Sequence, residues 1–266
     1  MTARSASTLA TPMQRTATQT AVLQARSAGT TPLFAPARAE PAARVEDRLA
    51  RSGKSRIDMT RPARLVSSED KYSCAIFTVV DKRYALSTKD GGEVVIDRNL
   101  IDHAHGAIAL VHDESLGGNG VPHDRYLVER EYRVGPNGFV FGLSAGLVEP
   151  GEDPMDAAFR EVREESGVVV DRSDPDAVSV DYYGDFYSSG GMTNECASLY
   201  VLHLKKWEQG PVDFDQDEFV ESAWVSWDEL TSIPIRNASS SLLIAKETIR
   251  RLRAARAQVP EPRART

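Results

Sequence analysis

Apolar and polar positions divide this chain into stretches of different character. Residues 1–45 are rich in Ala, Ser, Thr, Pro and Arg and show no apolar periodicity, which predicts a disordered tail. From about Lys71 short β-rich runs begin, "YSCAIFTVV", "RYALSTK" and "GEVVIDRNLI". Asp81-Lys82 and Asp90-Gly91-Gly92 punctuate them, so a small antiparallel meander is expected. A second set follows: "GAIALVHD", "DRYLVEREYRV", "FVFGLSAGLV", "AVSVDYYGDFYSS", "ECASLYVLHLKKW" and "ESAWVSW". Helical spacing appears in two places, around 154–166 and over 239–257, where Leu242, Leu243, Ala245, Ile249 and Leu252 recur on one side. Strands surrounding a few helices predict an α/β or α+β domain. The expected organisation is a tail over 1–45, a linker with N-terminal strands over 46–100, a main domain over 101–258 and a disordered C-terminus over 259–266.

The first helical stretch is bracketed by its own end signals. Asp153 followed by Pro154, with Asp156 in the first turn, supplies an N-cap acceptor, a preset φ and an acid at the positive end of the helix. Gly167 supplies the stop. Met155, Ala158, Phe159 and Val162 then fall at i, i+3, i+4 and i+7, a core-facing stripe. Glu161, Glu164 and Glu165 fall at i, i+3 and i+4 on another face, where like charges repel by a few tenths of a kcal/mol per pair, on the order of 0.2–0.5. A solvated acidic face is one reading of that triplet. The other is a hard divalent cation, which takes carboxylate and phosphate oxygens together.

Composition narrows the field. The net charge is −7, yet Arg4, Arg15, Arg26 and Arg38 are the only charged side chains before Glu40, leaving −11 on the rest. An acidic body argues against a nucleic-acid partner held by bulk electrostatics. No apolar run approaches the ~18 residues of a membrane span. Cys74 and Cys196 have no metal-ligand or disulfide-framework spacing and read as buried thiols of a reducing compartment. The expected location is cytoplasmic, with a mitochondrial or other organellar location as the alternative if the Arg- and Ser-bearing tail is a transit segment.

The residues around the triplet decide between the two readings. Gly146, Glu152, Arg160, Glu161, Glu164, Glu165 and Gly167, with Val162 and Val168 at the apolar positions, fit G-x5-E-x7-R-E-U-x-E-E-x-G-U throughout. Chance agreement at seven fixed positions is on the order of 10⁻⁶ for a chain of this length. This stretch resembles the signature box of the Nudix hydrolases. The resemblance implies an α/β/α sandwich with a mixed sheet, here preceded by the meander, and hydrolysis of a nucleoside diphosphate linked to another moiety. It implies Mg²⁺ or Mn²⁺, two or three ions, held by Glu161, Glu164 and Glu165. Arg160 would orient these carboxylates and Glu152 would support the metal shell.

The flanks resemble the ADP-ribose and nucleoside-diphosphate-sugar pyrophosphatases within that family. Arg133 of "REYRV" matches an arginine expected on a phosphate or sugar, and Ala145 an alanine whose carbonyl adds a metal ligand. Arg133, Gly146 and Glu152 form the expected substrate-binding set. In "FYSSGGMTNECASLYVL", Glu195 matches a loop glutamate that acts as base or positions the water. Gly142, Ser144 and Ser189 depart from the subfamily pattern, at a Glu, a Pro and a Pro. Tyr182 and Tyr183 lie where dinucleoside-polyphosphate hydrolases carry a tyrosine, with strand or core packing the plainer reading, and Arg98, His103 and His105 read as structural. Glu218 or Glu221 could offer a late metal ligand. The resemblance further implies a small-molecule nucleotide as the partner and a homodimer formed through the meander. Hydrolysis of dinucleoside polyphosphates, dinucleotide coenzymes or nucleoside triphosphates is the alternative activity. A non-catalytic ADP-ribose sensor is disfavoured by the intact box and by the lack of a second helix after the C-terminal one.

Overall fold

The computed structural model describes residues 39–214 and 219–257; the rest of the expected tail, the C-terminus from 258 and Glu218 lie outside them. The described residues begin with helix α1 (Ala39–Arg51), across the expected boundary at 45. Its sequence alternates helix formers with an Asp47–Arg51 ion pair at i,i+4, a local pattern that the Ala- and Arg-rich composition conceals.

Three strands follow: β1 (Arg64–Ser73), β2 (Phe77–Ser87) and β3 (Glu93–His103), an antiparallel meander in that spatial order. Two details correct the sequence reading. The first turn lies at Cys74–Ile76, where the Cys74 N–H donates to the Phe77 carbonyl at 3.0 Å and leaves Cys74 exposed, so that only Cys196 is a buried thiol, and β2 runs unbroken through Asp81 and Lys82. Strand β1 begins before Lys71 and is exposed along its whole length. A strand solvated on both faces has no apolar alternation to reveal it, and polar residues need not end it.

The main sheet has seven strands. Along its path the order is β12 (Val220–Ser226), β5 (Arg125–Arg133), β4 (Gly106–Asp113), β10 (Cys196–Leu204) and β9 (Val178–Tyr187). Strand β6 (Gly138–Gly142) pairs with β5, and β7 (Ser144–Leu147) with β4. The apolar run 139–148 is thus two strands that change partner at Leu143. Strands β4 and β10 are parallel, all other pairs antiparallel, so the sheet is mixed as expected. Both central strands are buried at every residue, the mark of a sheet covered on both faces.

Helix α2 (Pro154–Ser166) covers one face. Ala157, Ala158 and Val162 pack with Ala107, Ala109, Val111, Leu202 and Leu204. The alternate residues Ile108, Leu110, Leu199 and Val201 face the other way, toward Leu243 of α4 (Ala238–Ala257). Together these layers make the α/β/α sandwich. Helix α4 turns differently from the expectation: Ala245, Ile249 and Leu252 are exposed, and the buried positions are Ser240, Leu243 and Glu247. The buried acid is held by the Tyr126 hydroxyl at 3.0 Å and by Arg250 at 2.6 and 2.7 Å, so a polar residue occupies part of the core stripe. A short helix, α3 (Trp227–Ser232), begins with a capping box between Ser226 and Glu229. Strands β8 (Val168–Val169) and β11 (Glu208–Gln209) form a separate pair beyond α2. Among the described residues no helix is long and apolar enough to cross a membrane.

The ends of α2 form as its sequence dictates. The Asp153 side chain accepts from Met155 N–H, and Gly167 closes the helix in the left-handed region at φ 72° with its N–H on the Arg163 carbonyl. A Cβ on Gly167 would also lie 2.4 Å from the Gly210 carbonyl oxygen. Gly167→Ala should therefore lower stability by more than about 1 kcal/mol, read as a lower urea midpoint; an unchanged midpoint would contradict this role.

Candidate active site

Register brings the signature residues together. On β7, Ala145 and Gly146 pair with Ile108 and Ala107 of β4, and α2 crosses the sheet beside them. Gly146 lies so close to α2 that a Cβ there would sit 1.9 Å from Glu161 Cδ. A side chain at this position would occupy the space of a carboxylate, which is the physical reason for glycine.

Arg160 is the hub. Its Nε donates to Glu152 Oε1 at 2.9 Å and its Nη2 to Glu152 Oε2 at 3.0 Å, a two-pronged grip. Nη2 also donates to the Leu147 carbonyl at 2.9 Å, while Nη1 reaches Glu161 Oε1 at 2.6 Å and Glu164 Oε2 at 3.1 Å. One guanidinium thus holds three carboxylates and the end of β7. Glu152 is lowered in pKa, chiefly by Arg160, and also accepts from the Glu149 N–H at 2.9 Å. Its oxygens are directed at Arg160 and the loop, so in this arrangement Glu152 positions Arg160.

Glu165 points the opposite way, into the protein, and is 6% exposed. Its Oε2 accepts from the Ser144 hydroxyl and from the Ala145 N–H at 3.3 Å. Burial pushes its pKa up to about 7, and the Glu161 charge adds to the shift against the lowering effect of Ser144. Beside it lies Glu129 of β5, wholly enclosed, with Oε1 lacking any hydrogen-bond partner. Burial first, then the charge of Glu165, raises the Glu129 pKa well above the usual carboxylate value.

The sequence reading overlooked Glu129, although a signal existed. In "YLVEREYRV" the period of two places Glu129 on the same face as Leu127, and an acid on a core face is itself unusual. Glu131, the next residue on that face, pairs with Arg133 at 2.6 Å. Arg133 therefore stands at the end of a row Glu129–Glu131–Arg133 rather than on Arg160.

Glu195 is not brought into the Arg160 network by any direct hydrogen bond. It accepts from the Ser188 hydroxyl at 2.6 Å, and its N–H donates to Thr193 Oγ1 at 3.0 Å, both within the β9–β10 loop. That loop is tied to the meander: Ile101 N–H donates to the Met192 carbonyl at 2.9 Å, and the Asn194 side chain bridges His103 N–H and Asp102 at 2.9 and 2.7 Å. Tyr182 donates to Asp185 at 2.5 Å and Tyr183 is buried, which fits structural roles for both.

The donor set suits a hard cation. Glu152, Glu161 and Glu164 surround one guanidinium, Glu165 and the enclosed Glu129 lie on the inner side, and all are oxygen ligands of the type Mg²⁺ and Mn²⁺ take. A cleft of about 700 Å³ is lined by Arg130, Tyr132, Phe139, Phe214, Phe219, Val220 and Glu221, but Arg130 and Tyr132 alternate with the Glu129 row and face the other side of β5. The glutamates are the candidate site on their donor chemistry.

Comparison with known proteins agrees with this geometry. The family model described as the NUDIX domain matches residues 107–245. The chain belongs to the Nudix family. Among curated proteins it is similar to the methanol dehydrogenase activator of Bacillus methanolicus, 27% identical over 106 residues, 40% of this chain and 54% of that protein. It is also similar to the ADP compounds hydrolase NudE of Escherichia coli (strain K12), 46% identical over 44 residues, 16% of this chain and 24% of that protein. The chain thus spans about half of the first relative and a quarter of the second. A crystal structure of an ADP compounds hydrolase superposes with TM-score 0.53 at 17% identity, covering 75% of this chain and 98% of the other, which establishes a shared fold. The Nudix signature residues occupy β7, α2, the loop between them and, for Gly167 and Val168, the step from α2 into β8.

Replacing the hub should disclose its load. Arg160→Ala leaves Glu152, Glu161 and Glu164 without their shared donor and should lower stability in EDTA by about 2 kcal/mol. Urea unfolding measures this; a loss below about 0.5 kcal/mol would show that water replaces the guanidinium.

Proposed function

We propose that this Nudix protein is a metal-dependent pyrophosphohydrolase acting on ADP-ribose or a nucleoside-diphosphate sugar, releasing nucleoside monophosphate and sugar phosphate. The observation that carries the proposal is the Arg160-centred carboxylate cluster packed against Gly146. Glu161, Glu164, Glu165 and the Ala145 carbonyl would hold two or three Mg²⁺ or Mn²⁺ ions. When bound, such ions neutralise charge on the pyrophosphate oxygens and lower the pKa of water.

The chain's own groups supply the rest. Arg160 holds Glu161 and Glu164 in one orientation, so less reorganisation is needed when substrate arrives. Glu152 fixes Arg160 in turn. Arg133, half exposed at the end of β5, is a cation available to a substrate phosphate. Glu195, on a loop next to the meander, would accept the proton of the attacking water. A homodimer through the meander is part of the proposal; Leu65, Val66, Tyr72 and Val95 on its strands and Ile76 in its first turn are exposed apolar side chains that a second copy would cover.

A hydrolysis screen with Mg²⁺ over ADP-ribose, ADP-glucose, UDP-glucose, NADH, diadenosine polyphosphates and nucleoside triphosphates, with products resolved by mass, tests the activity. ADP-ribose or a nucleotide sugar should be cleaved to two monophosphates; preferred cleavage of a dinucleotide or triphosphate would replace this substrate class. Glu195→Gln should reduce kcat by about 10²-fold or more with KM and metal affinity little changed. Weakened metal binding with intact kcat at saturation would reassign Glu195 to the metal shell.

A further inference from the structure

The other end of the central strand pair carries a second polar cluster that pyrophosphate hydrolysis does not use. His112 of β4 and His203 of β10 are register partners across the parallel ladder and are 4% and 5% exposed. Both lie on the α4 face of the sheet, in step with Leu110 and Val201. Ala107 and Ile108, which pair with the signature strand, lie five and four residues back along β4. At ~3.3 Å per residue that is ~13–17 Å from His112.

The chemistry of the gap between the rings is unusual. Their Nδ1 atoms are 3.0 Å apart, and Glu114 Oε1 lies 3.4 Å from one and 3.9 Å from the other. Each outer nitrogen meets a carboxylate: His112 Nε2 lies 2.9 Å from Asp124 Oδ1, and His203 Nε2 lies 3.2 Å from Asp181 Oδ2. Carboxylate oxygens only accept, so Nε2 carries the hydrogen on both rings and both Nδ1 atoms present lone pairs. Two lone pairs and a carboxylate oxygen then face one small space with no donor among them. A positive species must occupy it, either a shared proton or a metal ion.

Several features favour the metal. Asp124 is gripped by Arg251 at 2.8 and 2.9 Å, which with His112 takes its pKa down to about 2, so its carboxylate persists and fixes the tautomer of His112. His112 also stacks on Tyr126, with ring centroids 4.4 Å apart and planes 4° from parallel. Carboxylates behind each ring, holding its inner nitrogen toward a shared point, form the outer shell that metal-ligating histidines generally have. Two nitrogens bound tetrahedrally at ~2.05 Å would lie ~3.3 Å apart, a small opening from 3.0 Å. Glu114, partly exposed, leaves an entry path and room for water.

We propose that His112, His203 and Glu114 form a second metal site, distinct from the Nudix carboxylates, which takes a Zn²⁺-class dication and clamps β4 to β10. Two imidazoles and one carboxylate select the borderline-soft ion, whereas the all-oxygen cluster selects Mg²⁺ or Mn²⁺.

Metal analysis of the full chain tests this. Protein exposed to Zn²⁺, then desalted into excess Mg²⁺, should retain one Zn²⁺ per chain. The Glu161→Gln/Glu165→Gln double variant should retain it equally, and His112→Gln or His203→Gln should lose it. Glu114→Gln, altered at the partly exposed mouth, should keep its circular dichroism and bind Zn²⁺ at least 10-fold more weakly. It decides the matter if the histidine variants fail to fold. Absence of retained Zn²⁺, equal retention in folded histidine variants, or unchanged affinity in Glu114→Gln would overturn the proposal; the first two would leave a shared proton as the species in the gap.

Discussion

The guanidinium of Arg160 is the contact on which the site depends. Three acids on and before one helix would repel each other, and a single planar cation with five fixed donors can satisfy them together. Its reach determines what else must be true. Glu152 has to approach from the loop before α2, so that loop returns over the helix start, and Leu147 has to offer its carbonyl at the end of β7. Gly146 has to lack a side chain because Glu161 occupies the space. The spacing of the signature is the spacing of these contacts.

The sheet turns that local arrangement into a site with two environments. Glu161 and Glu164 share Arg160 at its rim, while Glu165, one residue further along α2, is directed inward to Ser144, the Ala145 N–H and the enclosed Glu129. A buried acid with an orphaned oxygen is destabilising where it stands. Such local violations collect at functional sites, and here the violation adjoins the glutamates proposed to bind metal. The same strands present their alternate residues to α4, where the His112–His203 pair shows a comparable shortage of positive charge. Each face of the sheet therefore carries a cluster short of a cation, one made of oxygens and one chiefly of nitrogens.

Legibility in the sequence followed burial and local signals. Helix α2 could be bracketed because Asp153, Pro154 and Gly167 each act locally, and β4 and β10 because continuous apolar runs mark strands covered on both faces. Strand β1 was invisible because solvent reaches all of it, and α1 because its signal is an ion pair inside a biased composition. The start of α3 was legible in principle from Ser226 and Glu229. The turn of α4 was misread because Glu247, an acid, holds a core position through Tyr126 and Arg250. Glu161, Glu164 and Glu165 lie on α2, where helix spacing alone puts them. Glu129 and the two histidines were missed as a set because β5, β4 and β10 bring distant segments together, and pairing across strands leaves no spacing in a single sequence.

Divalent-cation binding by Glu161, Glu164 and Glu165 is what the proposed hydrolysis depends on. Mn²⁺ titration of the full chain followed by electron paramagnetic resonance, with Zn²⁺ present at one equivalent, measures it most directly. The wild type should take up Mn²⁺ in a form that Mg²⁺ displaces, and Glu161→Gln/Glu165→Gln should lose that uptake while keeping its fold. Equal Mn²⁺ uptake by the folded double variant, or none by the wild type, would contradict the claim.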